Sequence, residues 1–146
     1  MSEGGSQRLA TFSPTGLQVA FVRDNNLFIH DIRFGSERQI TRDGQYNHII
    51  NGAPDWVYEE EFAFNRAFEW APDGSAIAYI KFDESDVREF QMNMFEGQSP
   101  ALKQNELYPS NYVYKYPKAG EKNSKVSVYV YDVSDRTTTK MDTGEE

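Results

Sequence analysis

Apolar residues fall in short blocks along this chain, and clusters of Pro, Gly, Asp, Asn and Ser close each block. Short apolar blocks bounded by turn residues read as strands. One arrangement occurs twice. Phe12-Ser13-Pro14-Thr15-Gly16 leads into Leu17-Gln18-Val19-Ala20-Phe21-Val22. Fifty-eight positions later, Trp70-Ala71-Pro72-Asp73-Gly74 leads into Ser75-Ala76-Ile77-Ala78-Tyr79-Ile80. The shared pattern is aromatic, small, Pro, x, Gly, x, x, β-branched, Ala, aromatic, β-branched. It predicts a strand, a Pro-x-Gly turn and a second strand, because Pro presets φ and Gly accepts positive φ. The second strand is apolar on both faces, as expected of one buried between two layers.

Each hairpin is followed by two more predicted strands. After the first, Asp24-Asn25-Asn26 is a turn, residues 27–32 a third strand, Gly35-Ser36 a turn and residues 38–41 a short fourth strand. The second copy places its third strand at 126–133, a turn at 134–136 and its fourth strand at 137–141. Both third strands end alike, in Asp31-Ile32 and Asp132-Val133. Two tandem four-stranded antiparallel meanders are an all-β fold, about two blades of a β-propeller. The predicted boundaries are a leader at 1–8, blade one at about 9–42, an insertion at about 43–66, and blade two at about 67–143. Blade two carries a long insertion at 82–125, where blade one has a three-residue turn. Propellers close with about four to eight blades, so the 146 residues are expected to be a piece of a longer protein. Two blades alone leave open strand edges, and self-association of the isolated piece is expected.

Composition narrows the function classes. The net charge is −8, from 15 Lys and Arg against 23 Asp and Glu. Such a chain lacks the basic surface that nucleic-acid binding needs. Apolar residues make up 38%, but 9 Tyr, 10 Phe and 2 Trp supply a core built on rings rather than on Leu and Ile. There is no cysteine, hence no disulfide, thiol nucleophile or thiolate metal site. No apolar run is long enough to be a membrane-spanning helix. No metal or other cofactor is expected: Asp83-Glu84-Ser85-Asp86 lacks the Gly and downstream Glu of a calcium loop. His30 alternates with apolar residues and reads as structural, and nothing catalytic surrounds His30 or His48. Tyr108, Tyr112, Tyr114 and Tyr116 read as a wall of the long insertion, or as a stacking surface for peptide or sugar.

The strongest chemical signal is Asp55-Trp56-Val57-Tyr58-Glu59-Glu60-Glu61-Phe62. Pro54 precedes it, Asp55 can cap a short helix, and acidic residues suit a helix's first turn. Two readings fit these residues. One is a solvated acidic helix end. The other is a cation site, in which an ammonium relieves the repulsion among three carboxylates and Trp56 and Tyr58 form a wall that excludes water.

The string from Asn51-Gly52 through Phe62 resembles the double-glutamate motif of the dipeptidyl peptidase IV family of serine peptidases, a branch of the prolyl oligopeptidase family. Trp70 to Gly74, Ile80 to Ser85 and Tyr114 to Glu121 are similar to it as well. The likeness runs from about Leu9 to Gly144. It implies an eight-bladed propeller capping an α/β-hydrolase domain. The parent would be a peptidase of the periplasm, the cell surface or the medium that releases X-Pro or X-Ala dipeptides. By matched position, Glu60 and Glu61 would bind the free N-terminal ammonium of the peptide. Glu59 is expected to face elsewhere, since adjacent residues do not share a helix face. The family's Gly-x-Ser-x-Gly elbow and its carbonyl-binding arginine have no match in these residues. The stretch is therefore expected to carry part of a substrate site, with no catalytic residue of its own, and to be inactive alone. The competing class is a non-catalytic propeller module for protein interaction in an envelope protein, which has no use for the triple glutamate.

Overall fold

The computed structural model describes residues 6–95 and 107–144. Most of the expected leader, and residues 96–106 of the long insertion, lie outside the described residues.

The first sheet is a plain meander in the order β1-β2-β3-β4, comprising β1 (Gln7–Phe12), β2 (Gln18–Arg23), β3 (Asn26–Asp31) and β4 (Ser36–Gln39). β1 begins within the expected leader, because Gln7 pairs with Arg23 and Arg8 with Val22. A bulge between Arg8 and Thr11 puts Leu9 in the left-handed region, at φ 61°. The β2–β3 connection is a two-residue turn with Asp24 and Asn25 at φ 49° and 57°. Positive φ at both central residues matches the twist of the flanking strands, and Asn and Asp tolerate it.

The second sheet contains β5 (Ile49–Asn51), β6 (Phe68–Trp70), β7 (Ala76–Asp83), β10 (Lys125–Asp132) and β11 (Thr138–Lys140). β7 pairs with β10 on one side over eight residues, and β10 pairs with β11. On its other side β7 has two partners end to end. Phe68–Trp70 pairs with residues 77–79, and Ile49–Asn51 pairs with residues 81–83. Between β7 and β10 the chain forms a separate two-stranded arm, β8 (Glu89–Met94) with β9 (Ser110–Lys115).

The repeat seen in the sequence is a repeat of hydrogen bonds. The Ser13 amide donates to the Gln18 carbonyl and the Gly16 amide to the Ser13 carbonyl, at 2.8 and 2.9 Å. The Ala71 amide donates to the Ala76 carbonyl and the Gly74 amide to the Ala71 carbonyl, both at 2.8 Å. The third strands also end alike. Asp31 Oδ1 accepts the amides of Arg33 and Phe34, and Asp132 Oδ1 accepts those of Ser134 and Asp135. These are Asx turns, in which a side chain replaces a backbone acceptor.

The core lies between the two sheets. Ala20, Val22, Leu27 and Ile29 face Ile50, Phe68, Trp70, Ile77, Tyr79, Phe82 and Tyr131 across it. Both strands of a hairpin bury the same face because side chains alternate with period two. The other face of blade one buries Phe21 and Phe28, stacked with centroids 5.4 Å apart. The Arg23 guanidinium sits 4.1 Å from the Phe28 ring centre and pairs with Glu37 at 2.6 Å. The blades are also stitched by polar contacts. The Trp70 indole donates to the Thr11 carbonyl at 3.3 Å, and Arg38 donates to Tyr131 Oη and the Val133 carbonyl at 3.2 and 3.1 Å.

Candidate functional site

The split edge of β7 makes the site. At Gly52 the chain leaves β5, and at Ala67 it returns to begin β6. The two residues are joined, because the Ala67 amide donates to the Gly52 carbonyl at 3.0 Å. Ile80 on β7 clamps both, accepting from the Gly52 amide at 3.0 Å and donating to the Ala67 carbonyl at 2.8 Å. Gly52 has φ 77°, and a Cβ there would meet Leu27, Phe68 and Val22 at 3.2–3.3 Å. Only glycine fits this neck without strain.

The loop above the neck carries the helix α1 (Trp56–Phe62). Asp55 caps it from an extended conformation, and its carboxylate accepts the Tyr58 amide at 2.9 Å. The other Asp55 oxygen accepts the Ser124 hydroxyl at 2.6 Å, tying the cap to the start of β10. Ala63, at φ 56°, ends the helix. No residue of α1 is buried, so packing on both flanks must hold it. Tyr58 stacks edgewise on the buried Phe82, with centroids 4.9 Å apart. Trp56 packs edgewise on Tyr116 at 4.4 Å, and Tyr116 meets Phe90 at 5.5 Å on the arm. An aromatic row thus runs from α1 onto the β8–β9 hairpin, where Tyr112 and Tyr114 continue it, stacked at 5.3 Å.

Glu59, Glu60 and Glu61 are all exposed, and none makes an ion pair among the described residues. They do not share a surface. Glu59 and Trp56 line a groove of about 190 Å³ beneath the helix, with Arg8, Asp55, Glu84 and Lys115. Glu60 and Glu61 lie outside that lining, toward the C-terminal end of α1. Tyr58 also lies outside it, turned to the core. Of the rings read as a wall, Trp56 therefore lines the groove, and Tyr58 anchors the helix. His30 sits on β3 between Val19 and Glu37, and His48 offers its carbonyl to the Glu84 amide.

The reading from residues missed Glu84. It was weighed only within an acidic cluster, yet it is just 6% exposed. Burial, and then the neighbouring Asp55 charge, push its carboxyl up to about 7, with Lys115 opposing. A signal was available. Glu84 follows the buried Phe82 by two positions in extended chain, so both take the same face.

The chain is similar to known proteins. The family described as the dipeptidyl peptidase IV N-terminal region matches residues 1–146. A probable dipeptidyl-aminopeptidase B of Podospora anserina is 44% identical over 132 residues, covering 87% of this chain and 14% of that protein. The dipeptidyl aminopeptidase B of Saccharomyces cerevisiae is 38% identical over 136 residues, covering 92% of this chain and 16% of that protein. The crystal structure of Porphyromonas gingivalis dipeptidyl peptidase 4 superposes with a TM-score of 0.88 at 48% identity, over 99% of this chain and 20% of that one. The chain thus spans about one seventh of the length of the curated relatives it matches. The propeller blades and the match over the whole length agree: this chain belongs to the dipeptidyl peptidase IV N-terminal region family.

Proposed function

We propose that this chain supplies the amine-anchoring part of a serine dipeptidyl peptidase that releases X-Pro or X-Ala dipeptides from peptide N-termini. The observation that carries the reading is the state of Glu60 and Glu61. Both are exposed carboxylates on the last turn and a half of α1, without an ion-pair partner among the described residues. No basic residue stands in the last turn. A helix's C-terminal carbonyls carry partial negative charge, so two carboxylates there concentrate a potential that an ammonium satisfies.

The mechanism is a ruler. Charge-assisted hydrogen bonds from the substrate's N-terminal ammonium to Glu60 and Glu61 fix the first residue, each contributing about 1.5–3 kcal/mol. The peptide bond after the second residue then lies at a set distance from that anchor. An acylated N-terminus has no charge to offer and leaves the carboxylates unpaired, so it is rejected. Glu59, turned to the groove, takes no part in the anchor. The nucleophile, its base and the oxyanion donors come from an α/β-hydrolase domain outside these residues, and further blades complete the propeller. The parent works in the periplasm, at the cell surface or outside the cell. Names of relatives support the class, since the two curated relatives above are called dipeptidyl aminopeptidases.

The test is three Gln variants in the complete protein, compared on an X-Pro substrate. Glu60→Gln and Glu61→Gln are each expected to lower kcat/KM by about 10- to 150-fold, at about 1.36 kcal/mol per decade. Glu59→Gln is expected to be much milder. Near-normal activity in both of the first two removes the anchor from this helix. The isolated 146 residues are expected to form dimers or larger species in light scattering. β4 and β11 end their sheets, and Phe34 and Tyr108 are 76% and 79% exposed. A monomer at tens of micromolar concentration overturns that expectation.

A further inference from the structure

Glu84 directly follows β7, where its amide donates to the His48 carbonyl at 2.8 Å and its carbonyl accepts the Val87 amide at 3.1 Å. Its backbone is therefore fixed. Its side chain is buried, and no hydrogen bond or ion pair reaches its carboxylate among the described residues. Asp55, 7% exposed, lines the same groove and has both oxygens engaged, by the Tyr58 amide and the Ser124 hydroxyl. Two carboxylates thus share one groove beneath the first turn of α1.

The charges that face Glu84 come from four elements. Asp55 stands at the helix cap, Glu59 on α1, Lys115 on β9 and Arg8 on β1. Tyr46, Tyr112 and Tyr114 line the same space. The Lys115 ammonium donates to the Val87 carbonyl at 2.7 Å, so it opposes the negative charge without bridging to Glu84. A folded chain that holds the Glu84 proton up to about 7, against an ordinary 4.5, binds it more tightly than an unfolded one does. The contribution of Glu84 to the local structure is therefore full below about 4.5 and is lost as pH rises through about 7.

We propose that Glu84 is a positioning residue for α1. Neutral, it packs beneath the cap and leaves Asp55 to hold the first turn; ionised, it repels Asp55 and loosens the helix. It touches no substrate. The consequence for catalysis rests on the amine-anchor reading, because α1 carries Glu60 and Glu61. The effect on the helix does not.

Two measurements on the complete protein separate these. In the first, hydrogen exchange is followed in the peptide spanning residues 56–62 and corrected for intrinsic exchange. Protection in the wild type is expected to fall several-fold between about pH 5 and pH 8, while Glu84→Gln stays level. Lys115→Met, which removes the opposing cation, is expected to move the change to higher pH. In the second, KM for an X-Pro peptide is taken as the ratio of wild type to Glu84→Gln at each pH, which cancels the titration of the substrate amine near 8. The ratio is expected near one at about pH 5.5 and several-fold higher above pH 7.5. Level protection in both proteins overturns the proposal. A protection change that disappears in Glu84→Gln, with a flat KM ratio, sustains the hold on α1 and counts against the amine anchor instead.

Discussion

The β1–β2 and β6–β7 hairpins use one design, and the chain departs from it at one blade only. In blade one the edge strand is one piece from Gln7 to Phe12, bulged at Leu9, and β2 turns into β3 through two residues. In blade two the inner edge is broken into β5 and β6, and β7 reaches β10 only after the arm. The ladder itself is unchanged: β7 and β10 pair without a slip over eight residues. The difference teaches where a repeat can accept chemistry. A strand edge can be opened and a helix raised from it, provided backbone bonds close the gap, because the neighbouring strand still finds a partner along its length.

The neck is where this comparison is most easily broken. Gly16 and Gly74 also have positive φ, but a Cβ at Gly16 meets nothing within 4 Å and one at Gly74 meets Thr15 at an ordinary 3.5 Å. At Gly52 the same change adds crowding against three core side chains. Gly52→Ala is expected to cost about 2–4 kcal/mol, from the left-handed backbone and overpacking together. Gly16→Ala and Gly74→Ala are expected to cost about 1 kcal/mol each, alike in both blades. Local opening energies from hydrogen exchange in the complete protein read all three. Equal losses at all three glycines mean the neck is an ordinary turn.

A smaller effect isolates the helix from the neck. Asp55→Ala removes the cap and frees the Ser124 hydroxyl, at about 1–2 kcal/mol, and it removes the charge that helps to raise Glu84. Protection is expected to fall across residues 56–62 and to hold across β6 and β7. An equal loss in β7 shows that the helix and the sheet open together.

The smallest effect compares the two Asx turns. Asp31 and Asp132 both lie below the usual carboxyl value of 3.8. At Asp132 the Asp135 amide is the largest cause; at Asp31, partial desolvation is outweighed by the Arg33 side chain and the amides of Phe34 and Arg33. A depressed carboxyl stabilises the fold above the ordinary range, and that stability is lost as pH falls through the depressed value. Asp31→Asn and Asp132→Asn are therefore expected to lower thermal stability slightly at neutral pH and to converge with the wild type in acid, below about pH 4, where both carboxyls take up a proton. A change at neutral pH as large as that at Gly16→Ala makes these turns more than local.

These pairs also show what was legible. The Pro-x-Gly turns and the terminal Asp residues were plain from the sequence, because their hydrogen bonds close within five residues. The helix over the WVYEEE string was legible for the same reason, its cap lying three residues from the amide it takes. The pairing of Ile49–Asn51 with β7 was not. Three residues in a polar stretch carry no periodicity, and their partner lies some thirty positions on. The Asp55–Ser124 bond spans 69 positions, and no local pattern encodes it. Glu84 was passed over because Asp83-Glu84-Ser85-Asp86 was weighed as one acidic cluster against a calcium loop, although its spacing from Phe82 marks it for the buried face.

The neck has a practical consequence. Gly52 and Ala67 are hydrogen-bonded to each other and to Ile80, so the fourteen residues between them close on themselves. They behave as a cassette held at its two ends and at a few interior seats: Ala53 in the core, Asp55 on Ser124, Tyr58 on Phe82 and Trp56 on Tyr116. The exposed positions between are free to vary, since exchanging one closed loop for another of similar length changes closure entropy little. A designer who keeps Gly52, Ala67 and those interior seats can graft a different recognition helix onto this blade and leave the propeller's register alone.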